Sequence, residues 1–223
     1  MTQAEQRPVT RSDRLARNTV VLGALAAAAA ITAADVANPQ FDFIAVTASR
    51  YVNGNAGWLI PTALVLISAS SALVAWRPAP TRPNRAGIAA LLVCAAGFAV
   101  AAVFPADPPG QWDRPSTAEM VHGLAGWTAF LAFPIAAVLS ARSDRAAAGP
   151  RRAVLAATGF SVVTTAVFAV VLVDTMDGPS IRFGSAESLV GLSERLALGA
   201  DLAWLVVAAT AAPTLRRGGA ERS

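Results

Sequence analysis

The chain has no lysine, one cysteine, one histidine and one tyrosine, and only 14% of its 223 residues are charged. Each shortage excludes something. A soluble globular domain carries about a quarter charged residues. The low charge, set against 55% hydrophobic residues and a mean hydropathy of +0.51, excludes an ordinary water-soluble fold. The single Cys94 excludes an intramolecular disulfide. One histidine and one distant cysteine leave only carboxylates to complete a metal site, and no zinc-type spacing is present, so neither metal nor cofactor is expected. There is no P-loop, no dinucleotide glycine fingerprint and no serine nucleophile elbow. The missing lysine, with heavy use of alanine and arginine, points to a GC-rich bacterial genome.

What is present is apolar length. Six stretches, at about 18–36, 57–76, 87–104, 118–140, 153–173 and 188–210, each reach the roughly 20 residues that a helix needs to cross a hydrocarbon core of about 30 Å. The expectation is an all-α polytopic membrane protein: a six-transmembrane-helix bundle forming one domain over 18–212. Residues 1–17 are polar, contain Pro8 and lack apolar periodicity, so they are read as a disordered cytoplasmic tail, with a second tail at 213–223.

The sequence pI near 10.8 does not mean nucleic acid. Every basic residue is arginine, and most fall in four places: Arg7, Arg11, Arg14 and Arg17; Arg77, Arg82 and Arg85; Arg142, Arg145, Arg151 and Arg152; Arg216, Arg217 and Arg222. With six spans these places share one side of the membrane. The positive-inside rule then puts both termini in the cytoplasm, and the bacterial cytoplasmic (inner) membrane is the expected location. Membrane lipids are the expected partners, with anionic headgroups near the arginines. A homo-oligomer is compatible with all of this.

Other features describe the same design. The first apolar stretch has a signal-peptide look, but its length favours an uncleaved helix; cleavage near Ala37 would leave five spans. Trp58 and Trp76 bracket the second span as interfacial aromatics do. Pro61 lies in a first helical turn, and Pro134 is expected to kink the fourth span. The alanines from Ala24 to Ala30 supply a small-residue packing face. The 37–56 loop carries enough apolar side chains to fold back onto the helices.

Polar residues in the last span stand out, because a charge at a helix centre costs roughly 2.5–3.5 kcal/mol on an insertion scale. Glu187, Glu194 and Asp201 are spaced by seven and are read as one stripe facing the bundle, with Arg195 about 100° around from Glu194. Asp201 falls near the membrane centre. Ser68 and Ser71 on the second helix and Ser161 and Thr165 on the fifth lie at similar depth, suggesting a polar seam among helices two, five and six. These groups either tie helices together or mark a pocket or acid/base site.

Toward the outer side, Phe104-Pro105-Ala106-Asp107-Pro108-Pro109-Gly110 ends the third span in a stiff turn that Asp107 can cap. His122 follows on the next helix, one turn after Glu119, and suits either a structural hydrogen bond or proton transfer. The candidate ligand-binding set is Asp42, Ser49, Arg50, Asp107, Glu119, His122, Glu194, Arg195 and Asp201, with His122, Glu194 and Asp107 as catalytic candidates.

The motifs Phe41-Asp42 through Ser49, Gly57-Trp58-Leu59, Phe104 to Gly110, His122-Gly123, and Gly191 with Glu194-Arg195 resemble the bacterial membrane family called domain of unknown function 998, over about 15–212. That resemblance implies a six-helix membrane bundle and carries no activity or site residues with it. Three functions are then open. The first is a protein that binds a lipid or small apolar molecule in an outward-opening polar pocket, where Arg50 or Arg195 would pair with an anionic headgroup or hold the carboxylates apart when the pocket is empty. The second is an intramembrane enzyme using His122 or Glu194 as acid/base on a lipid or isoprenoid-like substrate, with Asp107 orienting His122. The third, weaker, is a transporter subunit built on Asp201, Ser68 and Thr165.

Overall fold

A computed structural model of the chain describes residues 10–76, 84–111, 114–143, 148–177, 180–182 and 184–211. Among them are six α-helices: α1 (Arg11–Ala37), α2 (Leu59–Trp76), α3 (Arg85–Val103), α4 (Thr117–Ser143), α5 (Ala148–Asp177) and α6 (Val190–Thr210). A short 3-10 helix, Ala48–Asn53, lies between α1 and α2. The fold is all-helical, as expected.

The beginning of α1 corrects the expectation of a disordered segment up to residue 17. The helix starts at Arg11, because Thr10 and Asp13 form a reciprocal capping box. The Thr10 hydroxyl accepts the Asp13 N–H at 3.2 Å, and the Asp13 carboxylate accepts the Thr10 N–H at 2.9 Å. Two otherwise orphaned donors are satisfied, which starts a helix without an apolar stripe. The expected 213–223 tail lies outside the described residues.

Consecutive helices pack side by side from α1 to α6, and α6 closes the ring against α1 while also touching α2 and α4. This gives α6 the most enclosed position: 12 of its 21 residues are buried, against five of 27 in α1. Five helices, α1 to α5, are long and apolar enough to cross a membrane. The exception carries Glu194, Arg195 and Asp201, and its neighbours shield it. Lipid-sized apolar surface lies outside, where Leu22, Leu124 and Val170 are each about two-thirds exposed. Inside, Phe98, Phe130 and Phe168 stack in succession, and Phe133 meets Trp204 edge-on at 5.5 Å. Gly97 lets α3 approach α4, since a Cβ there would stand 2.8 Å from the Ala125 carbonyl oxygen. Pro134 is carried within α4, which continues unbroken to Ser143.

Candidate functional site

The loop after α1 folds onto the helix ends, and Asn38 is its anchor. Fully buried, Asn38 donates from Nδ2 to the carbonyls of Ala34 and Asn55 at 2.8 Å and accepts from the Asn55 N–H through Oδ1 at 2.5 Å. Further on, the Leu192 N–H donates to the Ile44 carbonyl at 3.0 Å, so the loop satisfies part of the first turn of α6. That approach requires glycine at 191: a Cβ there would run into the carbonyl oxygens of Val46 and Phe43.

The 3-10 helix carries Arg50 inward until its side chain is only 3% exposed. Nη1 donates to the carbonyls of Asp107 and Pro108, both at 2.9 Å, and Nη2 donates to Glu119 Oε1 at 2.9 Å. Glu119 Oε2 accepts the Asp107 N–H at 2.6 Å, and Asp107 Oδ2 accepts the Ser116 N–H at 2.7 Å. Arg50 is thereby the post on which the proline-rich α3–α4 turn is built. Burial lowers its pKa from the ordinary value and outweighs the opposing pull of Glu119, Asp107 and Glu194. The Ser116 hydrogen bond holds the Asp107 carboxyl below its usual range.

Arg195 is committed as fully. Nε and Nη2 grip Asp35 of α1 at 3.1 and 2.5 Å, while Nη1 donates to the Val46 and Gly191 carbonyls at 2.9 and 3.0 Å. Its guanidinium lies over the Tyr51 ring at 5.0 Å. Asp35 was missed by the sequence reasoning, although the signal was there: one carboxylate at the end of the first span and one arginine inside the last.

Both guanidinium groups, the ones expected to meet an anionic headgroup, are bound to protein oxygens. Asp107 does not orient His122. His122 Nδ1 stands 3.0 Å from the Ala101 carbonyl and 2.8 Å from the Phe104 carbonyl. Both oxygens are acceptors, so Nδ1 carries a proton, and in the neutral ring Nε2 is the acceptor.

Beneath this polar cap lies a cavity of about 190 Å³ among α2, α3, α4 and the 3-10 helix, lined by Ser49, Ile60, Leu64, Ala101, Pro105 and His122. A narrower recess of about 40 Å³ shares Ser49, Ile60, Leu64, Ala101 and His122 with it and reaches Glu194, Phe98 and Phe130. Glu194 is buried, and its Oε2 accepts the Ala48 N–H. Three of the expected residues, Ser49, His122 and Glu194, thus line the narrower recess, and Ser49 and His122 also wall the larger cavity. Arg50, Asp107 and Glu119 buttress it, and Arg195 anchors the loop beside it. Asp42 is exposed and accepts the Ile44 N–H at 2.9 Å within its own loop.

Asp201 belongs to a separate region. It is fully buried, and Oδ1 accepts the Ser161 hydroxyl at 2.7 Å. Asp201 Oδ2, Ser71 Oγ and Thr165 Oγ1 are buried with no hydrogen-bond partner among the described residues. Two expectations need correction. Glu187 precedes α6 and is exposed, so the carboxylate stripe reduces to Glu194 and Asp201. Ser68 leaves the expected seam, donating instead to the Ala95 carbonyl of α3 at 2.7 Å. Among the described residues no three His, Cys, Asp or Glu side chains are grouped as a metal ion would need.

An all-helical, multi-pass membrane protein is the class that this fold and its apolar exterior define. The chain belongs to the family described as "Protein of unknown function (DUF998)", whose profile matches residues 21–211. Neither a curated protein nor a solved structure matches it.

Proposed function

We propose that this chain binds a small apolar molecule, or one segment of a lipid, in the cavity beneath the outer polar cap. In this reading all six helices cross a bacterial cytoplasmic membrane, with both termini inside. The observation that carries it is a cavity walled by apolar side chains with Ser49 and His122, continued by a narrow recess that the same two residues share with Glu194. Apolar walls with a few placed polar groups are the usual constitution of a ligand site. Size narrows the occupant. A cavity of about 150 Å³ accepts benzene, so about 190 Å³ suits a small ring or a few carbons of a chain rather than a whole lipid.

The direct test is mass spectrometry of molecules that co-purify in mild detergent with the wild type and with folded His122→Ala and Glu194→Gln variants. A defined species present in the wild type and lost from both variants is the expected result. Bulk phospholipid at equal level in all three would refute the reading. Reporter fusions at the C-terminus test the orientation.

A second reading rests on one observation: the His122 ring and the Glu194 carboxylate line the same recess. A ring nitrogen and a carboxyl group facing one recess can take and return a proton on a bound lipid or isoprenoid-like molecule. Turnover of a co-purified species by the wild type and not by His122→Ala would convert the binding protein into an enzyme.

A further inference from the structure

The polar groups in the cavity wall share a property that narrows the ligand further: each has acceptor capacity to offer. Nδ1 of His122 is held by two carbonyls, which leaves Nε2 of the neutral ring as an acceptor. Ser49 spends its hydroxyl proton on Thr47 Oγ1 at 3.2 Å, so its own oxygen keeps lone pairs. Glu194 receives the Ala48 N–H on Oε2 and lines the recess beside His122 and Ser49.

The donors close by are already engaged. Arg50 is bound to Glu119 and two carbonyls, and Arg195 to Asp35 and two more. Asn53 Nδ2 donates to the carbonyls of Ala106 and Arg50 at 2.9 and 3.2 Å. A carboxylate or phosphate entering the chamber would lose its hydration without a side-chain donor in the walls to replace it. A hydroxyl or amine would instead supply the donors that three acceptors lack.

We infer that the cavity selects an apolar molecule or chain whose head donates hydrogen bonds, an alcohol or an amine, and rejects anionic heads. The inference rests on the binding role proposed above and is tested separately from it. Protein in phosphatidylcholine nanodiscs is photolysed with matched long-chain diazirine probes ending in hydroxyl, amine, carboxylate or methyl, and labelled peptides are mapped. The hydroxyl and amine probes should label the segments containing Ile60, Leu64 and Ala101 about tenfold more than the carboxylate probe, the factor that roughly one net hydrogen bond supplies. His122→Phe should reduce their labelling toward that of the methyl probe.

Glu194→Gln supplies a result that misfolding cannot imitate. Its amide keeps an acceptor for Ala48 and turns a donor to the chamber, so carboxylate labelling should rise. Equal or stronger carboxylate labelling in the wild type, or unchanged selectivity in Glu194→Gln, overturns the donor-head inference and leaves the binding site standing. No probe labelling these segments above the outer faces of the helices overturns both.

Discussion

Two groups of ionisable residues lie on α6 about 9 Å apart along its axis, and they are treated very differently. Around Glu194 and Arg195, loop backbone reaches in: Ala48 supplies an N–H, Val46 a carbonyl, and Asp35 a full counter-charge. Around Asp201 there are only helices, whose backbone groups are consumed by their own ladders. Hydroxyls are what remain, and Ser161 alone donates, leaving Asp201 Oδ2, Ser71 Oγ and Thr165 Oγ1 unpaired among the described residues. Within this bundle, therefore, the cost of a buried charged residue is set by whether non-helical backbone reaches it. The Glu194–Arg195 group is a built scaffold beside a recess; Asp201 makes a sparse contact.

The largest test of that contrast is to break the Arg195–Asp35 pair. Removing one partner of a buried ion pair typically costs 3–5 kcal/mol. Asp35 keeps 25% of its side-chain surface exposed, which places Arg195→Met at the lower end, about 3 kcal/mol. A marked fall in the thermal midpoint in mild detergent is expected, with partial recovery in Asp35→Ala/Arg195→Met. Equal stability of Arg195→Met and wild type would mean that the pair is not what holds the loop.

Next in size is Gly191→Ala. Its methyl group meets two loop carbonyls rather than a flexible side chain, so the loop must move, at a cost of about 2 kcal/mol. Faster proteolysis between Asn38 and Leu59 should accompany it; an unchanged digestion pattern would count against the tight seating of the loop on α6.

The hydroxyls around Asp201 should respond in the opposite sense. Ser71→Ala and Thr165→Val each remove a buried hydroxyl that has no described partner, so stability should hold or rise, by at most about 1 kcal/mol. A loss larger than that, read from the same thermal midpoints, would show that a bound water or another group engages these atoms.

The smallest effect is a pH dependence at the cap. The folded state holds the Asp107 carboxyl below the ordinary value of about 3.9. Its contribution is therefore present above that pH and is lost as pH falls through the lower, folded value. The midpoint difference between wild type and Asp107→Asn should stay level from neutral pH downward and shrink only in the acid range. A difference that grows on acidification has the wrong sign and would dismiss the Ser116 hydrogen bond as the cause.

Much of the helical frame was legible in the chain. Hydropathy located the apolar stretches to within a few residues for α2 and α3, and the apolar content of the 37–56 loop correctly implied that it folds back. The link between Asp201 and Ser161 was legible too, because a hydroxyl at matching depth is the partner that a helical membrane interior can offer. The early start of α1 was not, since Thr10 and Asp13 act through a local cap rather than through periodicity. The heptad spacing that drew Glu187 into a stripe failed because the helix begins three residues later, and spacing means nothing outside a helix.

By itself, then, the sequence determined that this is an all-helical membrane protein, through the length and apolarity of its stretches, and that its last helix carries groups a membrane does not accept without partners. Only the tertiary structure decided who those partners are. Arg195 finds Asp35 across 160 residues of chain, Arg50 finds Glu119 across 69, and Ser49, His122 and Glu194 come from three separate segments to one chamber. The reason is physical: apolar burial depends on composition along the chain, whereas a hydrogen bond depends on position in space, and packing alone supplies that.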